Sequence, residues 1–337
     1  MRLAQLFESL PAAAADGELP SFSTLVIGAG PHRLGKDTSG APALLVSLPA
    51  APHGNALPPP VELEHISVRH GVQCRLWRAS AEPEEAIVSL VHCREAERVL
   101  RDYFLSVVEG VLPLLGPAPT EARVRDVVAS LIELFRALEL PQRKPIQGLW
   151  GELCVIVQAT DTAALLEAWH ASPEEPYDFT REAQRLEVKT AAGDERRHHF
   201  TLAQLHPPAG ASAVIASLFA ERAGGGVSLG ELLDRARLRV STRGDLAVRL
   251  ERVVAATLGK SWRRGLSERF DWERAQESLA FFDATAVPSV LPTDVPSGVT
   301  DVGFRSTLEM AHPLGEAAMR ERGGLLQAAV PLRAARR

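Results

Sequence analysis

Between Tyr177 and Thr190 the chain alternates with a period that suits a pair of strands. Leu186 and Val188 interleave with Glu187 and Lys189. On a strand, two apolar side chains then face one way, and a carboxylate and an ammonium face the other. Tyr177-Asp178-Phe179-Thr180 supplies a preceding strand, and Arg181–Gln184 can form the connection. A turn centred between Glu182 and Ala183 pairs Asp178 with Glu187. Their Cβ atoms would lie roughly 4.5–5.5 Å apart, a destabilising arrangement unless a cation compensates. A hard divalent cation with oxygen ligands would do so, and Lys189 adds a cation beside it.

A second acid stands where a solvated one does not belong. In Gly148-Leu149-Trp150-Gly151-Glu152-Leu153, read as part of a helix from Ile146 to His170, Glu152 has Leu149, Val155 and Ile156 at spacings of three and four. That puts a carboxylate on an apolar face, which is costly unless it is paired or bound to metal.

A helix acid followed by Asp–x8–Glu–x–Lys resembles the active site of the PD-(D/E)xK nuclease superfamily. The run Gly148–Leu153, Tyr177-Asp178-Phe179, Glu187-Val188-Lys189-Thr190, Arg196-Arg197-His198-His199-Phe200 and Gln204-Leu205 is similar to a bacterial PD-(D/E)xK family of unknown function, often encoded near phage-defence genes. Tyr177 rather than Pro precedes Asp178.

The resemblance implies an α/β (α+β) fold: a restriction-endonuclease-like core with a mixed central sheet flanked by helices, preceded by a β-rich N-terminal region. It implies a metal-dependent phosphodiesterase acting on DNA, with other defence-system proteins as partners and a homo-oligomer left open; a reducing cytoplasm is expected instead from the three scattered cysteines. Asp178, Glu187 and the Val188 carbonyl would bind Mg²⁺ or Mn²⁺, with Glu152 acting through water or at a second metal. Lys189 would orient water or stabilise charge, while Thr190, His198 and Gln204 would be accessory. His199 beside His198 leaves the histidine register open. Arg196 and Arg197, with Arg263, Arg264 and Arg269, are candidate DNA contacts. The alternative is a non-catalytic DNA-binding or assembly subunit that keeps the fold.

The chemistry suits these residue types, because a metal lowers the pKa of bound water and a lysine opposes developing negative charge. Each residue also has a plainer role. An ExK triplet is often a solvated strand face, Glu152 could pair with an arginine, and Trp150, Trp169 and Cys154 suit a core. Lys189 stands out because the chain has four lysines (Lys36, Lys144, Lys189, Lys260) against 33 arginines, and only Lys189 follows an acid by two residues.

The rest of the chain frames this stretch. Residues 1–94 hold short apolar runs separated by Gly/Pro-rich breaks, with an Ala/Pro-rich surface loop expected at 49–60. Residues 95–260 are assigned to helices, over Glu95–Leu112 and Glu121–Leu138, and to the core. Residues 261–312 are assigned to C-terminal strands, and 313–337 to a flexible tail. Ser228 with Glu231 forms a capping box that opens a helix. Val26-Ile27-Gly28-Ala29-Gly30-Pro31 begins like a dinucleotide fingerprint, but Arg33 stands where the third glycine belongs and no acid follows about 20 residues on.

Composition narrows the partners. At 46% hydrophobic and 23% charged the chain is ordinary globular protein. A net charge of −5 excludes a basic nucleic-acid coat, so DNA contact must be local. Cys74, Cys93 and Cys154 are too scattered for a disulfide scaffold or zinc ribbon. No apolar run reaches the ~18 residues of a membrane span.

Overall fold

The computed structural model describes residues 3–15, 17–47, 57–78, 82–170 and 175–332. The chain forms two compact units, one of residues 1–140 with 241–255, the other of residues 141–240 with 256–337.

The first unit begins with helix α1 (Leu3–Glu8) and strands β1 (Ser21–Val26), β2 (Arg33–Lys36), β3 (Pro42–Ser47), β4 (Val61–Glu62), β5 (Ile66–Trp77) and β6 (Glu84–Cys93). β1, β2, β3, β6 and β5 pair in that order, and β5 pairs back onto β1 in parallel, so five strands close into a barrel. β5 is twelve residues long, enough to hold β4 near Val68 and β1 near Arg75. The apolar runs Val61–Val68 and Val72–Trp77 read as separate in sequence, but Ile66–Val68 and Val72–Trp77 belong to one strand, because Gly71, at φ 66°, sits in the register shift between Arg69 and Val72 and bends the strand without ending it. Positions two apart on each strand, such as Ala43 and Leu45, Cys74 and Leu76, Val88 and Leu90, fill one core cluster. Gly28 and Gly30 lie in the turn from β1 to β2. A Cβ on Gly30 would sit 2.9 Å from the Pro117 carbonyl oxygen, so that glycine serves close backbone packing. Of the Ala/Pro-rich stretch, residues 48–56 lie outside the described residues. Helices α2 (Arg98–Leu115) and α3 (Glu121–Ala137) follow, each with its apolar face buried.

The second unit carries helices α4 (Ile146–Gln158) and α5 (Thr162–Ala168), then β7 (Phe179–Arg181), β8 (Gln184–Ala191), β9 (Arg197–Thr201), α6 (Leu202–Leu205), β10 (Ser212–Phe219), β11 (Arg222–Ser228) and α7 (Leu229–Arg239). Helix α8 (Gly244–Leu258) follows in the chain, its residues up to Ala255 counted with the first unit. Then come α9 (Trp262–Ser267), β12 (Arg269–Phe270), α10 (Trp272–Ser278), β13 (Ala280–Asp283), β14 (Gly303–Thr307), α11 (Glu316–Glu321) and α12 (Gly324–Ala328). A mixed sheet in the order β13-β10-β8-β7 forms its centre: β8 and β10 are parallel, the outer pairs antiparallel.

Two expectations change here. The single helix over Ile146–His170 is two, because Asp161 accepts the Ala164 N–H at 3.0 Å and caps a new start. The tail expected from 313 onward forms α11 and α12, which bury Met319, Leu325 and Leu326; residues 333–337 lie outside the described residues.

Candidate active site

The hairpin β7–β8 carries the first acids. Phe179 pairs with Leu186 and Arg181 with Gln184, so the turn is Glu182-Ala183, with Glu182 at φ 51°. That register continues to Asp178 beside Glu187. The Asp178 backbone N–H donates to Glu187 Oε2 at 3.1 Å, and the Val188 N–H donates to Asp178 Oδ2 at 2.9 Å. Each carboxylate thus has one oxygen held by a neutral backbone donor, which relieves the expected face-to-face repulsion.

Glu152 reaches the same place from α4. This helix is apolar nearly all round and buried, so Glu152 is only 4% exposed. Its approach to β8 depends on Gly151: a Cβ there would meet Thr190 Cγ2 at 2.3 Å. Thr190 is therefore a packing contact of α4. Trp169, which stacks on Phe179, donates its indole N–H to Glu152 Oε2 at 2.7 Å.

Two lysines close the cluster. Lys189 Nζ lies 2.7 Å from Glu187 Oε1 and 3.0 Å from Gln204 Oε1, and Gln204 Nε2 donates to Glu187 Oε1 at 2.7 Å. Lys144, in the loop before α4, lies 2.7 Å from Asp178 Oδ1 and 3.4 Å from Glu152 Oε1. Sequence reasoning passes over Lys144 and over the indole of Trp169. The one available signal is rarity, since two of only four lysines meet here.

The electrostatics follow from burial. Burial pushes the Glu152 carboxyl well above the usual range, and the Asp178 charge adds to the shift; Lys144 and the Trp169 N–H oppose it. Burial and Asp178 likewise raise Glu187, against the pull of Lys189. Burial alone would lower Lys144, but the charges of Glu152 and Asp178 outweigh it and hold the ammonium above its ordinary value. Three buried carboxylates against two ammonium groups leave the cluster one positive charge short when all are ionised.

The remaining candidates divide. His198 and Phe200 are buried while Arg197 and His199 are exposed, so strand alternation turns His198 inward. Its Nε2 is 2.9 Å from Ser217 Oγ. Burial, with Lys189 and Arg196 nearby, lowers its pKa to about 4 and keeps it neutral. Arg196 points into the fold, donating to Ser217 O and Oγ and to Ser278 O over the ring of Phe219. That geometry removes it from the candidate DNA contacts. Arg197 is exposed beside Glu195, Arg263 lies over Trp262, Arg264 pairs with Glu268, and Arg269 with Glu231.

Lys144, Asp178, Glu187 and Gln204 open onto a cleft of about 840 Å³, whose lining also includes Pro292, Val295 and Val299. Another cleft, of about 500 Å³ beside Arg181 and Arg320, lacks such a cluster. Among the described residues, no three His, Cys, Asp or Glu side chains are arranged as a metal cage. The donors at the acid cluster are nonetheless all oxygen, as a hard cation requires.

A family model described as "Putative PD-(D/E)XK family member, (DUF4420)" matches residues 3–309. The chain belongs to this family. The DUF4420 match takes in the barrel, the acid cluster and β14, and stops before α11 and α12. No curated protein and no solved structure matches the chain. Among the described residues, no helix is long and apolar enough to cross a membrane.

Proposed function

We propose that this DUF4420 member is a metal-dependent nuclease that hydrolyses DNA phosphodiesters. The observation that carries the reading is the convergence of buried Glu152, Asp178 and Glu187 with Lys189, in a cluster whose Asp178 and Glu187 line a cleft of about 840 Å³. Buried acids at this density weaken the fold unless a cation is bound. In this reading the mixed sheet is a restriction-endonuclease-like core.

Asp178, Glu187 and the Val188 carbonyl would hold Mg²⁺ or Mn²⁺, with Glu152 alongside. When bound, the metal would acidify a water and offset charge on the phosphoryl oxygens. Lys189, fixed between Glu187 and Gln204, presents an ammonium beside the cluster, where it stabilises charge developing on the phosphate. The Trp169 indole orients Glu152 and supports its ionised form. His198 is a neutral packing residue in this account. DNA contact falls to Arg197 and to residues around the cleft. A phage-defence setting with partner proteins belongs to the same proposal and rests on the family resemblance alone.

The test is incubation of the purified chain with supercoiled plasmid and Mg²⁺ or Mn²⁺. Nicking or linearisation that is lost with chelator, and lost in Asp178→Asn and Glu187→Gln, is the expected result. Intact plasmid, together with salt-sensitive DNA binding, would instead support a non-catalytic subunit.

A further inference from the structure

In all three buried acids one oxygen is pinned by a neutral N–H: Glu152 Oε2 by Trp169, Asp178 Oδ2 by Val188, Glu187 Oε2 by Asp178. The other oxygen faces a lysine. Lys189 takes Glu187 Oε1, and Lys144 stands between Asp178 Oδ1 and Glu152 Oε1. Among the oxygens proposed to hold the metal, those of Asp178 and Glu152 are thus the ones turned toward Lys144. The two lysines differ in freedom. The Lys189 side chain is 16% exposed, held by Gln204 and lying 5.2 Å over the Phe200 ring. The Lys144 side chain is 43% exposed and comes from a loop, with carboxylates as its ammonium's partners. Its backbone is anchored separately: its carbonyl accepts from Gln142 Nε2 at 2.7 Å, and the neighbouring Arg143 N–H donates to Thr257 O at 3.0 Å. The side chain can therefore leave without unravelling the loop.

We infer that Lys144 is a tethered counter-ion, occupying the Asp178–Glu152 position until a divalent cation displaces it, and so setting the metal affinity of the site. The inference rests on the metal reading above. Two arguments support exclusion over coexistence. A hard cation approaches its oxygens to about 2.0–2.6 Å. An ammonium 2.7 Å from the same Asp178 oxygen would then stand at like-charge contact with it. Charge count agrees: a divalent ion added with Lys144 in place gives the cluster a net charge of +1, whereas exchange for Lys144 gives zero. A buried cluster is least costly when neutral.

The test is titration of Mn²⁺ alone by calorimetry into wild type, K144Q, K144R and, as control, D178N, each first checked for a cooperative melt. K144Q should melt lower without metal and bind Mn²⁺ roughly tenfold or more tightly, the effect of removing one close like charge. K144R, which keeps the charge, should stay near wild type, and D178N should not bind. Should K144Q fold poorly, the Lys144 Cε–Hε signals of wild type report independently and must shift on saturation with Mg²⁺. Equal affinity in wild type and K144Q, weaker binding in K144Q, or an unmoved Lys144 signal overturns the role of Lys144 alone. No Mn²⁺ binding in any protein overturns the metal reading, and this inference with it.

Discussion

Asp178 donates its own backbone N–H to the carboxylate of Glu187, 3.1 Å away, while its side chain accepts the N–H of Val188 at 2.9 Å. Two acids that oppose each other across a hairpin are thereby interlocked through backbone donors. Both keep an oxygen for a cation, and the strand pair stays in register.

The arrangement predicts a metal-dependent stability. Mg²⁺ or Mn²⁺ at about 100 times its Kd should raise stability by about 2.7 kcal/mol through preferential binding to the folded chain. Asp178→Asn keeps an oxygen for the Val188 N–H but loses the anionic ligand, so the gain should vanish. Differential scanning calorimetry with and without metal reads this directly. An equal gain in both proteins would count against the site.

Trp169→Phe keeps the ring stacked on Phe179 and removes the N–H that donates to Glu152 Oε2. A buried carboxylate losing a hydrogen bond should destabilise by about 2 kcal/mol. Burial already raises Glu152, and losing this donor should raise it further. Urea unfolding at neutral pH should show a lower midpoint with an unchanged slope. An unchanged midpoint would mean that the indole contributes nothing to the acid.

His198 makes the fold sensitive to acid. Its pKa falls from 6.5 to about 4 on folding, so between those values the unfolded chain binds the proton more readily. Stability is then lost as pH drops through that window, by up to about 3 kcal/mol. His198→Gln can still hydrogen-bond Ser217 and should lack this part of the acid loss. Melting curves from pH 7 to pH 4 should converge for the two proteins; parallel curves would place the titration elsewhere.

What the sequence made legible depended on range. The register of the β7–β8 hairpin follows from period-two alternation across a two-residue turn, all within a dozen residues. Glu152 on an apolar helix face is similarly local. Lys144 was not legible, because its partners lie 8 and 34 residues away and its loop has no period. Barrel closure was hidden for the same reason: β1 and β5 pair in parallel across about fifty intervening residues. The helices α11 and α12, of six and five residues, are too short for a 3.6-residue period to register. Arg196 reads as surface charge, yet Ser217, Ser278 and Phe219 draw it inward.

The central claim is that the cluster around Lys189 hydrolyses phosphodiesters. Its most direct test is the single-turnover cleavage rate of labelled duplex DNA in saturating Mn²⁺, for wild type, Lys189→Ala and Lys189→Arg at matched folded fraction. Lys189→Ala should still bind DNA and, in saturating Mn²⁺, still hold its metal, but cut about 10²–10³-fold more slowly, the usual loss for one preorganised donor. Lys189→Arg should recover little, because its broader guanidinium does not fit between Glu187 and Gln204 as a compact ammonium does. Cleavage by both variants at the wild-type rate, or no cleavage by wild type, would contradict the account.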